Sequence, residues 1–398
     1  MKCIIMLRAK LNHLDNVLPL VFELKKAGII SNPLFIVSNI ETFELIKRNT
    51  VLYDGIHFID GKLAYINRFN NRYIRWFHNL FVLRELLYQG VMAIEILSNY
   101  SKLTSFMLAF NRKVLGGKRI LAKLRWGPYE EEKIVRETYR IVRGKSNDPV
   151  NDPVEEEIIK GYDCVLLSHT QEQYEESNKL RLNADCKIFQ VGYTRGLGEW
   201  EAFLKEREIQ YFSKQIKPPY FFFVLGTLDS LGPYVCPPVE EVLRECLQIL
   251  KDYNDDILTV FKPHPTTNIG KFQNILRSMS YKNYTITNIH WSYLARNAKF
   301  TFTNHHSTLL SNAYFCGSPV VEYVQYDPRI LKYTKGKSMA GDLVDYFIPR
   351  DKVQLREALD ELIYNDFSVK RDSFRLKNDF PVLSLQDIKE KFSFLNIS

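Results

Sequence analysis

The chain has 398 residues, enough for two to three domains at about 150 residues each. Its residues are 45% hydrophobic and 25% charged, a globular make-up that excludes a disordered chain. The 54 Lys and Arg outnumber the 46 Asp and Glu for a net charge of +8, but unevenly: residues 68–126 hold eleven basic side chains against Glu85 and Glu95, leaving the rest near neutral.

In chain order, residues 3–7 read as a buried strand followed by a polar loop over 8–14. Asp15 or Asn16 then caps a helix with Pro19 in its first turn, Leu20, Leu24 and Ala27 on one face, and Gly28 as its stop. Residues 33–37 are a second strand, 41–48 a helix and 56–59 a third strand, an alternation that predicts a parallel sheet. Residues 164–167 and 188–191 read as further strands.

The second half restarts the pattern. Pro218 and Pro219 precede a strand over 220–225, whose loop begins Gly226-Thr227. Pro237 and Pro238 open a helix with Val239, Val242, Leu243, Cys246 and Leu250 at helical spacing. A strand over 257–261 runs into Lys262-Pro263-His264-Pro265, and one over 300–303 into Asn304-His305-His306-Ser307-Thr308 with a helix over 309–316 behind it. Residues 319–323 form another strand and 351–364 an amphipathic helix with Leu355, Ala358, Leu359 and Leu362 inward.

The polar, charged stretch 192–219 separates the two sets of units. The expected fold class is α/β, two Rossmann-like domains facing across a cleft: 1–197, 198–375, and a segment 376–398 packing back on the first domain. Ligands of open parallel sheets sit at the carboxyl ends of the strands, which directs attention to the loops at 8–15, 226–230, 262–267 and 304–311. Six scattered cysteines without a C-x-x-C pair read as reduced thiols, most of them in apolar stretches of a cytoplasmic protein. No run approaches the roughly 18 apolar residues of a membrane span, and the start lacks the apolar region of a leader.

Lys262-Pro263-His264-Pro265 is the sharpest chemical signal. Its prolines end the ladder and stiffen the backbone, holding an imidazole beside an ammonium where a phosphate can bind. The alternative is a Pro-bounded turn whose histidine bonds a nearby carbonyl. His306, Ser307 and Thr308 precede a helix, where hydroxyls and backbone N–H groups suit an anion; a plain Ser/Thr cap is the alternative there. Adjacent histidines without a carboxylate at ligand spacing do not make a metal site.

K-P-H-P after a strand, then H-S-T about forty residues on, then A-x-x-x-G-x-P-V-V-E-Y resembles the carboxyl-terminal domain of GT-B-fold glycosyltransferases. Within these it resembles bacterial transferases of capsule and lipopolysaccharide synthesis: Kdo transferases, polysialyltransferases and the related teichoic-acid glycerophosphotransferases. The resemblance implies that His264, with Ser307 and Thr308, holds the donor's phosphate, with Gly226, Thr227, Lys262, Pro265 and His306 around them. Val191-Gly192-Tyr193-Thr194-Arg195, followed by Trp200, resembles the V-G-Y-P-R…W segment that ends the amino-terminal domain, with Thr194 in place of proline. Asn312-Ala313 stands where retaining UDP-sugar transferases carry Glu-Ala for the nucleotide ribose, which argues against that binding mode. UDP-sugar 2-epimerases share the architecture, but their acidic, Arg-rich signature has no equivalent here.

The activity expected is a metal-independent, cofactor-free glycosyltransferase. Its donor would be nucleotide-linked, a CMP-activated acidic sugar of the Kdo or sialic-acid type, and its acceptor a bacterial surface polysaccharide or glycolipid. A base that deprotonates the acceptor hydroxyl is expected from the opposite domain, with His13 and Asp15 first and Glu130 or Glu131 second. Asp15 as a helix cap and the glutamates as a solvated helix start are the alternatives. The basic, aromatic window 68–126 suits anionic lipid on the inner face of the membrane or an acidic glycan; no nucleic-acid-binding motif accompanies it. Tyr162 and Trp200 are taken as packing residues. A CDP-glycerol or CDP-ribitol polyol-phosphate transferase, and a non-catalytic partner in glycan assembly, are the rival readings.

Overall fold

Apolar runs too short to cover themselves become parallel strands when helices bury both their faces. The computed structural model describes residues 1–7, 11–66, 72–96, 102–124, 129–143, 161–178, 186–213, 215–226, 228, 239–265, 267–365 and 382–395. The chain divides into two compact units, one of Met1–Trp126, Pro153–Arg207 and Ser373–Ser398, the other of Gly127–Asp152 and Glu208–Asp372. This is the α/β class expected, but with a different partition: the helix Tyr129–Arg143 belongs to the second unit although strands on either side of it in sequence belong to the first.

Among the described residues of the first unit, β1 (Lys2–Met6), β2 (Ser31–Val37), β3 (Lys62–Tyr65), β4 (Met92–Glu95), β5 (Lys118–Lys123), β6 (Cys164–Leu167) and β7 (Lys187–Gln190) form one parallel sheet in the order β3-β2-β1-β4-β5-β6-β7. In the second, β8 (Tyr220–Leu225), β9 (Leu258–Pro263), β10 (Tyr284–Ile286), β11 (Thr301–Thr303), β12 (Val320–Tyr323) and β13 (Tyr346–Ile348) pair in the parallel order β10-β9-β8-β11-β12-β13. Each sheet reverses direction beside its first strand, the topological switch where loops part and leave room for a ligand.

The third strand expected at 56–59 is instead the end of a helix, Thr50–Phe58, and β3 follows it. Asn49 caps this helix through Leu52 N, and Val51, Leu52, Gly55 and Ile56 fill one buried helical face, so the short apolar run follows the helical period. The first helix also begins earlier than expected, at Leu11: it runs to Lys26 with Pro19 inside it, which puts Asp15 in the second turn and not at the cap. Pro263 is the last residue of β9, paired with Leu225. The ladder tolerates it because β10 ends opposite Phe261, so no second neighbour asks for its missing N–H.

The segment Val191 to Trp200 anchors the Leu11–Lys26 helix. Thr194 Oγ1 donates to Asn16 O at 2.7 Å, Arg195 pairs with Asp15, and buried Trp200 packs on Phe22 and Phe203. In the tail, Val382 pairs antiparallel with Gly192, and the Leu385–Lys391 helix buries Ile388. The core of the second sheet is aromatic: Phe221 stacks on Phe300 at 4.9 Å, while Phe223 touches Phe261 and Phe302. Each such ring contributes roughly 2–3 kcal/mol by its burial.

Within the basic window, Arg119 is held by Glu95 and Arg112 by Asp163, and Tyr162 donates its hydroxyl to Glu95. Its outer surface exposes Phe81, Leu87, Tyr88, Phe106 and Val114. The five described cysteines are free thiols. No helix among the described residues is long and apolar enough to cross a membrane.

Candidate active site

The second sheet's switch lies beside β8, between β9 and β11, and the loops leaving these strands carry the sequence's chemical residues. Gly226 directly follows β8; its carbonyl accepts the Thr267 hydroxyl at 3.0 Å, while His264 N bonds Leu225 O at 2.9 Å and Thr267 N bonds His264 O at 2.8 Å. These bonds fasten the loop after β9 to the end of β8, so the His264 imidazole stands on a braced turn. It is exposed, and the part turned toward the protein draws its pKa below the ordinary value by desolvation. Pro265 is exposed beside it. Lys262 sends its ammonium to Ile289 O at 2.8 Å, in the loop after β10. Thr227 lies outside the described residues.

From β11 the chain passes through Asn304, His305 and His306 to the Leu309–Phe315 helix. Thr303 Oγ1 lies 2.9 Å from His305 Nδ1 and 3.1 Å from Val224 O, tying this loop to β8 as well. Burial, with His306 and then His264 nearby, pushes His305 down to about 3, and burial alone pushes His306 down to about 4. The three imidazoles therefore form one neutral cluster. Thr308 occupies the cap position of the helix, but its side chain makes no capping bond; the Ser307 hydroxyl accepts from Leu309 N at 3.3 Å. Asn312 donates to Thr308 O at 2.7 Å and so braces the helix start.

Of the four carboxylates and imidazoles expected to act as base, Glu131 lies at this cluster within the second unit. Glu131, on the Tyr129–Arg143 helix, is fully buried in the second unit, accepts the Ser311 hydroxyl, and puts Oε1 at 3.8 Å from His306 Nε2. Glu130 beside it is exposed. His13 and Asp15 lie on the Leu11–Lys26 helix of the first unit, Asp15 buried against Arg195. Ser311 and Asn304 were not singled out from sequence; Ser311 follows Ser307 by one helical turn, a spacing that marks it only once Glu131 is known to face it. Among the described residues no three His, Cys, Asp or Glu are arranged to hold a metal ion.

A braced imidazole after β9, with hydroxyls and further imidazoles after β11, can together offer hydrogen bonds to an anionic group. No protein-family model and no curated protein matches the sequence. Among solved structures, the chain is similar to UDP-GlcNAc 2-epimerase from Methanocaldococcus jannaschii in complex with UDP-GlcNAc and UDP, at 14% identity over 99% of both chains and a TM-score of 0.52. It is also similar to UDP-N-acetylglucosamine 2-epimerase from Rickettsia bellii, at 12% identity over 99% of this chain and 96% of that one, TM-score 0.49. A glycosyltransferase from Rickettsia africae matches at 10% identity over 100% and 99% of the two chains, TM-score 0.47. At such identities the likeness speaks to fold: two Rossmann-like α/β units of the GT-B class.

Proposed function

We propose that this chain is a glycosyltransferase that works without a metal ion and moves a sugar from a nucleotide-activated donor. The donor's phosphate is held by His264, Ser307 and Thr308, with Gly226, Thr227, Lys262, Pro265 and His306 around it. The observation that carries this reading is that the chain leaving β9 and the chain leaving β11, on either side of the second sheet's switch, are both fastened to β8 by hydrogen bonds. We take the donor to be a CMP-linked acidic sugar, because its leaving group is already a weakly basic phosphate that fixed donors can stabilise. The acceptor is a bacterial surface polysaccharide or glycolipid such as those of capsule or lipopolysaccharide. Such an enzyme works at the cytoplasmic side, and the exposed apolar residues of the basic window favour contact with anionic membrane there. The candidates for the base are His13, Asp15, Glu130 and Glu131, of which Glu131 is fully buried against Ser311 and His306.

The experiment is a thermal-shift comparison of CMP, CDP, UDP and GDP, followed by turnover of CMP-Kdo and CMP-sialic acid by wild type and His264→Ala. Saturation with a ligand at ~100 times its dissociation constant adds about 2.7 kcal/mol, a clear shift. CMP is expected to stabilise most, and loss of one transition-state donor in His264→Ala to cost about 10²–10³-fold in turnover. A preference for CDP would favour the polyol-phosphate transferase, a preference for UDP or GDP would overturn the donor assignment, and full activity in His264→Ala would overturn the phosphate site.

A further inference from the structure

We infer that His306 and Glu131 form a pair that takes up one proton when an anion occupies the site, with Glu131 as the residue that positions the resulting imidazolium. The inference rests on the donor-site reading and adds a proton carrier to it, a role that Ser307 and Thr308 cannot fill.

The geometry starts from the His306 ring. The His306 side chain is 5% exposed, and neither ring nitrogen has a hydrogen-bond partner within the chain. Buried polar groups are almost always satisfied, so an imidazole with both nitrogens orphaned marks a group whose partner is supplied in another state. Glu131 Oε1 stands 3.8 Å from Nε2, inside ion-pair range and about 1 Å beyond a hydrogen bond. The Ser311 hydroxyl holds the other oxygen of Glu131, which fixes the orientation of the carboxylate. His306 directly precedes Ser307 and Thr308, so an anion on those hydroxyls arrives next to the ring.

Among the described residues, Glu131 from the Tyr129–Arg143 helix and His305 in its own loop lie beside His306, and His264 from the loop after β9 lies near His305. In the empty site desolvation prevails and keeps the ring neutral, with its pKa down to about 4. A bound phosphate brings negative charge beside the ring, and opposite charges within a few ångströms favour the cation. The proton comes from solvent; Nε2–H then donates to Glu131 Oε1 and the other ring N–H is available to the anion. No bond between heavy atoms forms or breaks.

The test is calorimetric titration of CMP into the full-length protein near pH 7.5 in buffers of different ionisation enthalpy, whose slope counts protons taken up. Wild type is expected to take up about one proton more than His306→Gln, in which any uptake by the phosphate itself survives. Glu131→Gln is expected to bind CMP with most of that extra uptake gone, and Ser311→Ala, a milder change to the same carboxylate, to lower it partway. Equal uptake in wild type, His306→Gln and Glu131→Gln would overturn the inference while leaving the donor site standing. Absence of binding by CMP, CDP, UDP and GDP alike would overturn the donor-site reading and this inference with it.

Discussion

The guanidinium of Arg195 meets the carboxylate of Asp15 at 2.8 Å inside the first unit, with the two side chains 5% and 10% exposed. Both residues stand out in the sequence for other reasons, Asp15 as a loop acid and Arg195 in a motif, yet the pair joins the Leu11–Lys26 helix to the turn at Thr194–Gly196. Removing either partner strands a buried charge. Asp15→Ala and Arg195→Ala are each expected to lose about 3–5 kcal/mol in urea unfolding, and the double variant to lose less than the sum. Normal stability in Asp15→Ala with activity abolished would instead assign Asp15 the base's role.

Thr308 separates cap from ligand. Its side chain makes no capping bond, so Thr308→Val is expected to change stability by less than about 0.5 kcal/mol. If the hydroxyl holds the donor's phosphate, the same variant binds CMP roughly tenfold more weakly, which isothermal titration reads directly. A large fall in melting temperature with unchanged CMP affinity would return Thr308 to a structural role.

Glu322, on β12, is fully buried between the Ser338 hydroxyl at 2.6 Å and the Tyr326 hydroxyl. Burial raises its pKa from 4.5 to about 7, against the opposing pull of those two hydroxyls. The folded chain therefore holds this proton more tightly than the unfolded one. Its stabilising contribution is complete below pH 4.5 and is lost as pH rises through 7, a change on the order of 3 kcal/mol. Glu322→Gln keeps the shape without the charge, so its stability relative to wild type is expected to rise between these pH values. A difference that stays flat across that range would show that Glu322 titrates normally.

The outer surface of the basic window offers exposed Phe81, Phe106 and Val114. Binding to vesicles that contain anionic phospholipid is expected, weakening with salt because the electrostatic part is screened. Phe106→Ser with Val114→Ser is expected to lower vesicle binding at any salt concentration. Equal binding to neutral and anionic vesicles would remove the lipid from the proposal.

How much could be read before the fold was known differs by element. β8 and the helix Lys352–Tyr364 follow from local pattern, since their apolar residues repeat at strand or helix spacing over enough positions to decide. β10 and β13 span three residues each and carry no period to read. The run Ile56 to Ile59, three apolar residues around His57, fits a strand or a helix turn equally, and only the Asn49 cap with the burial of Leu52 separates the two. The residues of the candidate site were legible because prolines, histidines and hydroxyls gather at strand ends, where the chain itself announces a turn.

What the sequence determined by itself is the alternation of strand and helix and the chemistry at the ends of β9 and β11, both local properties of short stretches. Only the tertiary structure decided that Glu131 faces Ser311 and His306, that Asp15 is consumed by Arg195, and that residues 127–152 join the second unit. The reason is physical: a buried carboxylate must find a hydroxyl, an imidazole or a guanidinium wherever the packed chain brings one. That partner is chosen by the path of the backbone through the core, and the spacing along the sequence carries no record of it.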